Sequence, residues 1–169
     1  EAKSLVIEKK DFRLQNELDN LVDLYTTSIE SKGLTFVKDF QDGMPKTLIG
    51  DPTHLTQVLS NLLGNAVKFT KKGTIGLKVD IVSKTEEEIR VLFEVSDTGI
   101  GIPYDELKNI FHGFFQVDTS MTRSYEGLGL GLSIVKNITA LMGGDVEVKS
   151  EENIGSVFTV TLAFKKVFL

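Results

Sequence analysis

Residues Asp51 to Thr70, which read DPTHLTQVLSNLLGNAVKFT, decide the fold of this chain. Asp51 is a suitable helix N-cap, and Pro52 suits the first helical position. Apolar residues then recur at three- and four-residue spacings, namely Leu55, Val58, Leu59, Leu62, Ala66 and Phe69. Because residues at these spacings share one side of a helix, the stretch predicts an amphipathic helix with a buried apolar side.

The opposite side of this helix carries polar residues at the same spacing: His54, Gln57, Asn61, Asn65 and Lys68. Solvent-exposed helices typically pair Lys with Glu there, whereas Asn61 and Asn65 are neutral amides. An amide oxygen is a suitable ligand for magnesium, and Lys68 can neutralise phosphate oxygens. If the helix is considered alone, the alternative interpretation is an ordinary solvent-exposed polar side without a ligand.

Composition limits the class of protein. The chain has 169 residues, of which 41% are hydrophobic and 25% charged, as expected for one globular domain. The net charge of -5 argues against a nucleic-acid surface, although a phosphate pocket needs only local positive charge. The absence of cysteine excludes disulfides, zinc-thiolate sites and thiol catalysis. No apolar run reaches the roughly 20 residues of a membrane helix. The chain begins with Glu1 rather than Met, so we expect a piece of a longer protein.

The remaining pattern predicts helices over 15–31, 103–111 and 132–142, and strands over 34–40, 74–82, 88–96, 145–150 and 156–164. A short polar link between the second and third strands predicts an antiparallel hairpin. Residues 1–12 are interpreted as a linker, with a short edge strand within residues 1–10 as the alternative, and residues 13–169 as one domain. Without a repeating strand-helix-strand order, we expect an α+β two-layer sandwich with a mixed, mainly antiparallel sheet and helices on one face.

Asp97-Thr98-Gly99-Ile100-Gly101 directly follows the apolar strand over 88–96. A carboxylate there can accept a hydrogen bond from the exocyclic amine of adenine, whereas it would repel the carbonyl oxygen of guanine. The two glycines allow the backbone to approach a flat base closely. A strand-end turn without a ligand is the alternative interpretation.

Gly127-Leu128-Gly129-Leu130-Gly131 precedes the helix predicted from Leu132. Successive glycine N–H groups and a helix N-terminus can bind phosphates. The run is neither a Walker A loop nor a dinucleotide fingerprint, and a glycine hinge without a ligand is the alternative.

Residues 113–127 are long for a simple connection, so they are interpreted as a lid. Arg123 lies in this segment and could reach a terminal phosphate, although a solvated arginine is the more common outcome. Phe111 precedes the segment and is a candidate nucleotide contact, although aromatic residues more often pack in a core. Neither His54 nor His112 has a spacing that suggests a metal site or a catalytic dyad.

Four motifs, taken in chain order, resemble the N, G1, F and G2 boxes in the ATP-binding catalytic domain of sensor histidine kinases: the asparagine-bearing helix, the segment 97–101, the phenylalanine cluster over 111–115 and the glycine run 127–131. Residues 61–70 are close to the consensus of that family, and Gly155-Ser156-Val157-Phe158 resembles its last glycine box. The resemblance implies the α/β sandwich shared with the ATPase domains of gyrase, MutL proteins and a heat-shock chaperone. His112-Gly113 stands where Glu-Pro is usual, and Leu128 where threonine is usual.

The resemblance also implies roles for individual residues. Asn65 would bind Mg2+, Asn61 would lie near the phosphates where the related ATPases hold a glutamate, and Lys68 would contact phosphate. Asp97 would bind the adenine amine. The glycines beside the base would be Gly99 and Gly101, and those around the phosphates would be Gly127, Gly129 and Gly131.

The implied activity is transfer of the γ-phosphate of Mg-ATP to a histidine on a separate dimerisation domain, with a receiver domain downstream in a two-component phosphorelay. Neither histidine here is followed by an acidic residue, so the phosphoacceptor lies outside this chain, and residues 1–12 would follow that domain. We expect a cytoplasmic monomer, alone or within a membrane-anchored sensor, without direct membrane or nucleic-acid contact. A switch ATPase of the gyrase or chaperone type and a non-catalytic regulatory module are the alternatives.

Overall fold

A computed structural model of the chain describes residues 5–112 and 128–167, with the backbone alone for residues 128–130. The elements in chain order are β1 (Lys10–Phe12), α1 (Leu14–Ser31), β2 (Thr35–Phe40), β3 (Leu48–Gly50), α2 (Pro52–Phe69), β4 (Thr74–Lys84), β5 (Glu88–Asp97), α3 (Tyr104–Leu107), α4 (Leu128–Leu141), β6 (Asp145–Glu151) and β7 (Gly155–Lys166). The bilayer-length apolar helix that a membrane span requires is not found in the described parts of the chain.

The strands form one seven-stranded sheet in the order β1-β3-β7-β5-β4-β2, with β6 also paired to β7. β2 pairs with β4 in parallel, and the other strand pairs within the described residues are antiparallel. The predicted hairpin is formed by β4 and β5. The sequence prediction of a mixed, mainly antiparallel sheet is therefore confirmed.

The helices cover one face of the sheet. The residues of β5 that point to this face are at most 1% exposed: Ile89, Val91, Phe93 and Val95. Their neighbours Arg90, Leu92 and Glu94 point to the other face and are partly exposed. This alternation is the period of two expected for a strand with one buried face, and it makes the fold the predicted two-layer α+β sandwich.

Helix α2 begins where the sequence predicts. The Asp51 carboxylate accepts hydrogen bonds from the backbone N–H groups of His54 and Glu8, both at 2.9 Å, and contacts the His54 ring at 2.5 Å. Burial of Asp51 opposes its charge, but these hydrogen bonds outweigh that effect and hold its pKa below the ordinary value. Asp51 therefore satisfies the first turn of α2 and attaches the preceding segment to it.

Two short strands were not part of the sequence prediction. Lys10–Phe12, at the end of the expected linker, pairs with Leu48–Gly50, which in turn pairs with Lys165 and Lys166. The strand Lys10–Phe12 shares only Lys10 with the edge strand considered for residues 1–10. Strands of three residues are too short to show a recognisable periodicity in the sequence. They form because pairing with their partners in the sheet holds them in place.

Helices α3 and α4 also differ from the expectation. α3 spans only Tyr104–Leu107, and α4 begins at Leu128 rather than at Leu132. Gly129 and Gly131 thus lie inside the first turns of α4, not in a loop before it. Each glycine costs a helix only about 1 kcal/mol relative to alanine, which packing of α4 against α2 can offset.

Alanine substitutions at Gly64 and Gly144 test how closely other groups pack against the backbone at these two positions. An alanine methyl at Gly64, within α2, would lie 3.8 Å from Tyr25 Oη, whereas one at Gly144 would lie 2.0 Å from the Thr161 carbonyl oxygen. We expect Gly64→Ala to stabilise the domain by about 0.5–1 kcal/mol through helix propensity. We expect Gly144→Ala to destabilise it by about 1–3 kcal/mol through overpacking. Urea unfolding monitored by circular dichroism measures both, and equal midpoints would contradict the described contacts.

Candidate nucleotide-binding site

The polar side of α2 faces α4. Asn61 Nδ2 donates a hydrogen bond of 3.4 Å to the carbonyl oxygen of Gly131. One turn further along α2, Asn65 Nδ2 lies 4.0 Å from the point where a Cβ of Gly131 would be. The structure therefore brings both asparagines of the predicted polar side and one glycine of the predicted glycine run to the same place.

The amide nitrogen of Asn65 is buried and has no hydrogen-bond partner within the described residues. A buried polar atom without a partner costs about 1–3 kcal/mol, so such atoms are rare in native folds and require an explanation. A 180° rotation of the Asn65 side-chain amide exchanges the positions of its nitrogen and oxygen at little energetic cost. Asn65 therefore offers an unsatisfied polar group to whatever occupies the adjacent pocket.

Asp97 is the last residue of β5 and is half-buried. Burial raises the pKa of its carboxyl group above the ordinary value, and hydrogen bonds from the backbone N–H groups of Gly99 and Ser156 offset part of that effect. The bond from Gly99 N to Asp97 Oδ1 is 2.9 Å long. The carboxylate is thus held in one orientation, and its remaining acceptor capacity is available to the pocket.

Asn65 and Asp97 line one pocket, which measures about 290 Å3 including its open mouth. The full lining consists of Asn65, Phe69, Asp97, Ile100, Gly101, Ile102, Ser156 and Phe158. Apolar walls with a few fixed polar groups are typical of a site for a flat, partly polar ligand.

The two glycines after Asp97 are required by contacts within the chain itself. A Cβ at Gly99 would lie 2.4 Å from the carbonyl oxygen of Phe69, at the end of α2. Gly101 has a φ of 67°, and its Cβ would lie 2.0 Å from the carbonyl oxygen of Glu151. Gly101 lines the pocket, whereas Gly99 supports it by bonding to Asp97.

Lys68 and Phe111 lie at the border of the pocket. Lys68 is exposed, and its Nζ lies 5.4 Å from the ring centroid of Phe69, one of the lining residues. The ring of Phe111 packs edge to face on that of Phe158, with 6.4 Å between the centroids. Phe111 therefore supports a wall of the pocket, which agrees with the packing role that is typical of aromatic residues.

Three candidate residues line one pocket, namely Asn65, Asp97 and Gly101. The other described candidates lie beside these or beside other lining residues: Gly131 beside Asn65, Asn61 bonded to Gly131, Gly99 bonded to Asp97, Lys68 beside Phe69 and Phe111 packed on Phe158. Gly129 lies in the first turn of α4. Arg123, Gly127 and the lid predicted over 113–127 lie outside the described residues. Their predicted roles remain predictions.

Sequence analysis did not assign the remaining pocket residues: Phe69, Ile100, Ile102, Ser156 and Phe158. A signal for Ser156 and Phe158 was present, because both belong to the run Gly155-Ser156-Val157-Phe158. The apolar members are indistinguishable from ordinary core residues in the sequence, since only the fold determines which apolar side chains border a cavity.

Two solved structures have the same fold. The first is the full-length ShkA crystal structure in complex with AMPPNP, with a TM-score of 0.81 and 30% identity over 99% of this chain and 34% of that one. The second is a nucleotide-free catalytic domain of histidine kinase ThkA, with a TM-score of 0.71 and 27% identity over 92% of this chain and 97% of that one. The fold expected from the resemblance is thus confirmed.

Curated relatives give the same result. The chain is 38% identical over 158 residues to the signal transduction histidine-protein kinase BarA of Escherichia coli K12, covering 94% of this chain and 17% of the relative. It is 40% identical over 159 residues to the sensory/regulatory protein RpfC of Xanthomonas campestris, covering 94% of this chain and 22% of the relative. The chain thus spans about a fifth of the length of these two proteins.

The sequence profile of one protein family matches residues 50–166, which contain α2, Asp97, α4 and the Gly155-Ser156 run. This match covers more than half of the chain. Together with the shared fold and the curated relatives, it shows that the chain belongs to the family of histidine kinase-, DNA gyrase B- and HSP90-like ATPases, as a histidine-kinase catalytic domain.

Proposed function

We propose that this domain binds Mg-ATP in the pocket between α2 and the end of β5 and transfers the γ-phosphate to a histidine on a separate domain. The observation that carries this proposal is that Asn65, whose amide nitrogen is buried without a partner in the described residues, lines the same pocket as Asp97. The ShkA structure, a complex with the ATP analogue AMPPNP, supports the choice of nucleotide.

The residues present fit a magnesium ion. Mg2+ binds through one or two protein oxygens together with phosphates and waters, and it rarely uses a cage made only of protein groups. Asn65 supplies one such amide oxygen, and no cluster of three acidic, histidine or cysteine side chains occurs in the described ranges. Magnesium bound at Asn65 would neutralise charge on the phosphate oxygens.

Each end of the nucleotide has matching groups on this chain. Asp97 would accept a hydrogen bond from the adenine amine, and Phe69, Ile102 and Phe158 would pack around the base. The phosphates would lie at the N-terminus of α4, where the first backbone N–H groups of a helix have no partner within the helix and the positive end of the helix dipole favours anions. Arg123 and Gly127 would contribute by resemblance to the family.

The identity of Asn61 indicates which nucleophile attacks the γ-phosphate of ATP. Its amide donates to the Gly131 carbonyl and cannot act as a general base, so it does not activate water as a glutamate would. ATP would then be spared for a histidine on a phosphoacceptor helix, and a receiver domain would accept the phosphoryl group next. In this proposal residues 1–9 lead from the phosphoacceptor domain, and the chain acts as a monomer in the cytoplasm, free or within a membrane-anchored sensor.

Asp97→Asn tests the adenine contact. Loss of a charge-assisted hydrogen bond should weaken Mg-ATP binding about 10- to 100-fold, as measured by isothermal titration calorimetry. The folded-state pKa of Asp97 is raised, so the charged form disfavours folding at neutral pH, and the variant should unfold at an equal or higher urea concentration. Unchanged affinity would exclude Asp97 from the site.

The raised pKa of Asp97 also predicts how binding depends on pH. Below that pKa the carboxyl group is protonated and no longer accepts a bond from the adenine amine as a carboxylate does. ATP affinity should therefore fall on acidification and begin to fall above the pH at which an exposed aspartate, of pKa 3.8, titrates. The Asp97→Asn variant should not show this fall in ATP affinity. If the fall persists in the variant, a group other than Asp97 causes it.

Asn65→Ala tests the magnesium contact. The variant should lose the gain in ATP affinity that Mg2+ gives the parent chain, and it should phosphorylate a supplied dimerisation domain from a related kinase at least about tenfold more slowly. Asn20→Ala is a matched control, because Asn20 is an exposed amide on helix α1. If both variants labelled the supplied domain at the rate of the parent, Asn65 would have no role in transfer.

A further inference from the structure

Two side chains from the α1 region bond to the backbone of α2. Tyr25 Oη donates a hydrogen bond of 3.0 Å to the carbonyl oxygen of Ser60, in the middle of α2. Lys32, which directly follows α1, donates from Nζ to the carbonyl oxygens of Val67 and Lys68 in the last turn of α2, at 2.5 and 3.3 Å. Both contacts hold backbone rather than side chains, so they act on the position of the helix itself. Sequence analysis assigned no functional role to Tyr25 or Lys32.

Gly64 explains how Tyr25 reaches the Ser60 carbonyl. Glycine is among the poorest helix formers, yet Gly64 lies inside α2, one turn after Ser60. Residues four apart lie one above the other on a helix, so a side chain at position 64 would stand beside this carbonyl. A Cβ there would lie 3.8 Å from Tyr25 Oη, so a methyl group fits, whereas a longer side chain would take the place of the hydroxyl group. The glycine therefore keeps the carbonyl accessible to α1.

The position of α2 along its own axis decides where its polar side meets α4. Asn61 directly follows Ser60, which Tyr25 holds, and Asn65 comes one turn later. The bond from Asn61 Nδ2 to the Gly131 carbonyl oxygen is 3.4 Å long, above the usual range of about 2.7–3.2 Å, so a small further displacement would break it. Apolar packing is non-directional, whereas hydrogen bonds weaken steeply with distance and angle. The bonds from Tyr25 and from the end of α1 therefore define this position more sharply than the core does.

The opposite end of the pocket is held without α1. Asp97 belongs to β5 and accepts hydrogen bonds from the backbone N–H groups of Gly99 and Ser156. None of the described residues that line the pocket belongs to α1. A change in α1 should therefore alter the end where the proposed function puts the phosphates, beside Asn61 and Asn65, and leave the contact of Asp97 as it is.

We propose that Tyr25 and Lys32 are positioning residues for phosphoryl transfer. By bonding to carbonyl groups in the middle and in the last turn of α2, they fix Asn61 and Asn65 relative to α4 and to the phosphates of the nucleotide. A misplacement of about 1 Å can slow such a reaction by up to about 100-fold, because the reacting groups have to be aligned. This inference rests on the proposed binding of Mg-ATP and adds α1 to the elements that orient the phosphates.

The test measures ATP affinity with and without Mg2+ by isothermal titration calorimetry on the full chain, and the rate of transfer to a supplied dimerisation domain from a related kinase. Tyr25→Phe removes one hydroxyl group and keeps the ring. Its affinity for ATP without Mg2+ should stay within about twofold of the parent value, because the contact of Asp97 is unchanged. The gain in affinity on adding Mg2+ should fall about threefold and the kcat of transfer about tenfold, because Asn65 and Asn61 are misplaced.

Lys32→Met removes the second contact and should act in the same way as Tyr25→Phe. Lys32→Arg keeps a cationic donor of similar reach and should restore the kcat of the parent. Lys46→Met is the matched control, because Lys46 is exposed in the connection between β2 and β3. It should transfer at the parent rate.

Gly64 gives independent access to the same contact. Gly64→Met places a side chain where the Tyr25 hydroxyl group lies and should lower kcat as Tyr25→Phe does, whereas Gly64→Ala should keep the parent rate. Because Tyr25→Phe and Gly64→Met remove the same hydrogen bond, the double variant should be no slower than either single variant.

Urea unfolding is measured alongside, and rates are compared at a temperature at which every variant is folded. If Tyr25→Phe and Lys32→Met both transferred at the parent rate, or lost ATP affinity equally with and without Mg2+, the positioning role would be wrong. A parent chain that does not bind Mg-ATP would contradict the proposed function itself and this inference with it.

Discussion

The burial of one side of α2 is the constraint on which the site depends. The side chains on this side are at most 2% exposed: Leu55, Val58, Leu59, Leu62, Leu63 and Ala66. Each buried leucine contributes about 1.5–3 kcal/mol, so a rotation of α2 that exposed them would cost far more than the amides could return. With that side fixed, Asn61 and Asn65 have to face α4. The packing of the core therefore positions the polar groups of the pocket.

The pocket keeps polar groups that the fold by itself does not satisfy. Asp97 is a partly buried acid whose pKa is raised by burial, and the amide nitrogen of Asn65 is buried without a partner in the described residues. A domain selected for stability alone would replace such groups with apolar ones. These polar groups lie together near the ends of β5 and α2, which distinguishes this site from the rest of the core. A bound ligand would provide their missing hydrogen-bond partners.

The fold was predictable from the sequence where local periodicity is strong. α2 and β5 each bury one side along their whole length, so the spacing of their apolar residues identifies them. Lys10–Phe12 and Leu48–Gly50 were not predicted as strands, because three residues show no periodicity and are held by pairing with distant partners. The start of α4 was misplaced by four residues because glycine is a poor helix former, and contact with α2 outweighs that preference.

For the site, the sequence by itself identified the candidate groups: two asparagines one turn apart on α2, and a carboxylate directly after an apolar strand. These are local facts, fixed by helical and strand geometry. Only the tertiary structure decided that Gly131 lies opposite Asn61 and that Ser156 and Phe158 complete the pocket around Asp97. These contacts depend on how β5 and β7 pair and on where α4 packs. Pairing and packing of separate elements leave no local pattern in the residues that they bring together.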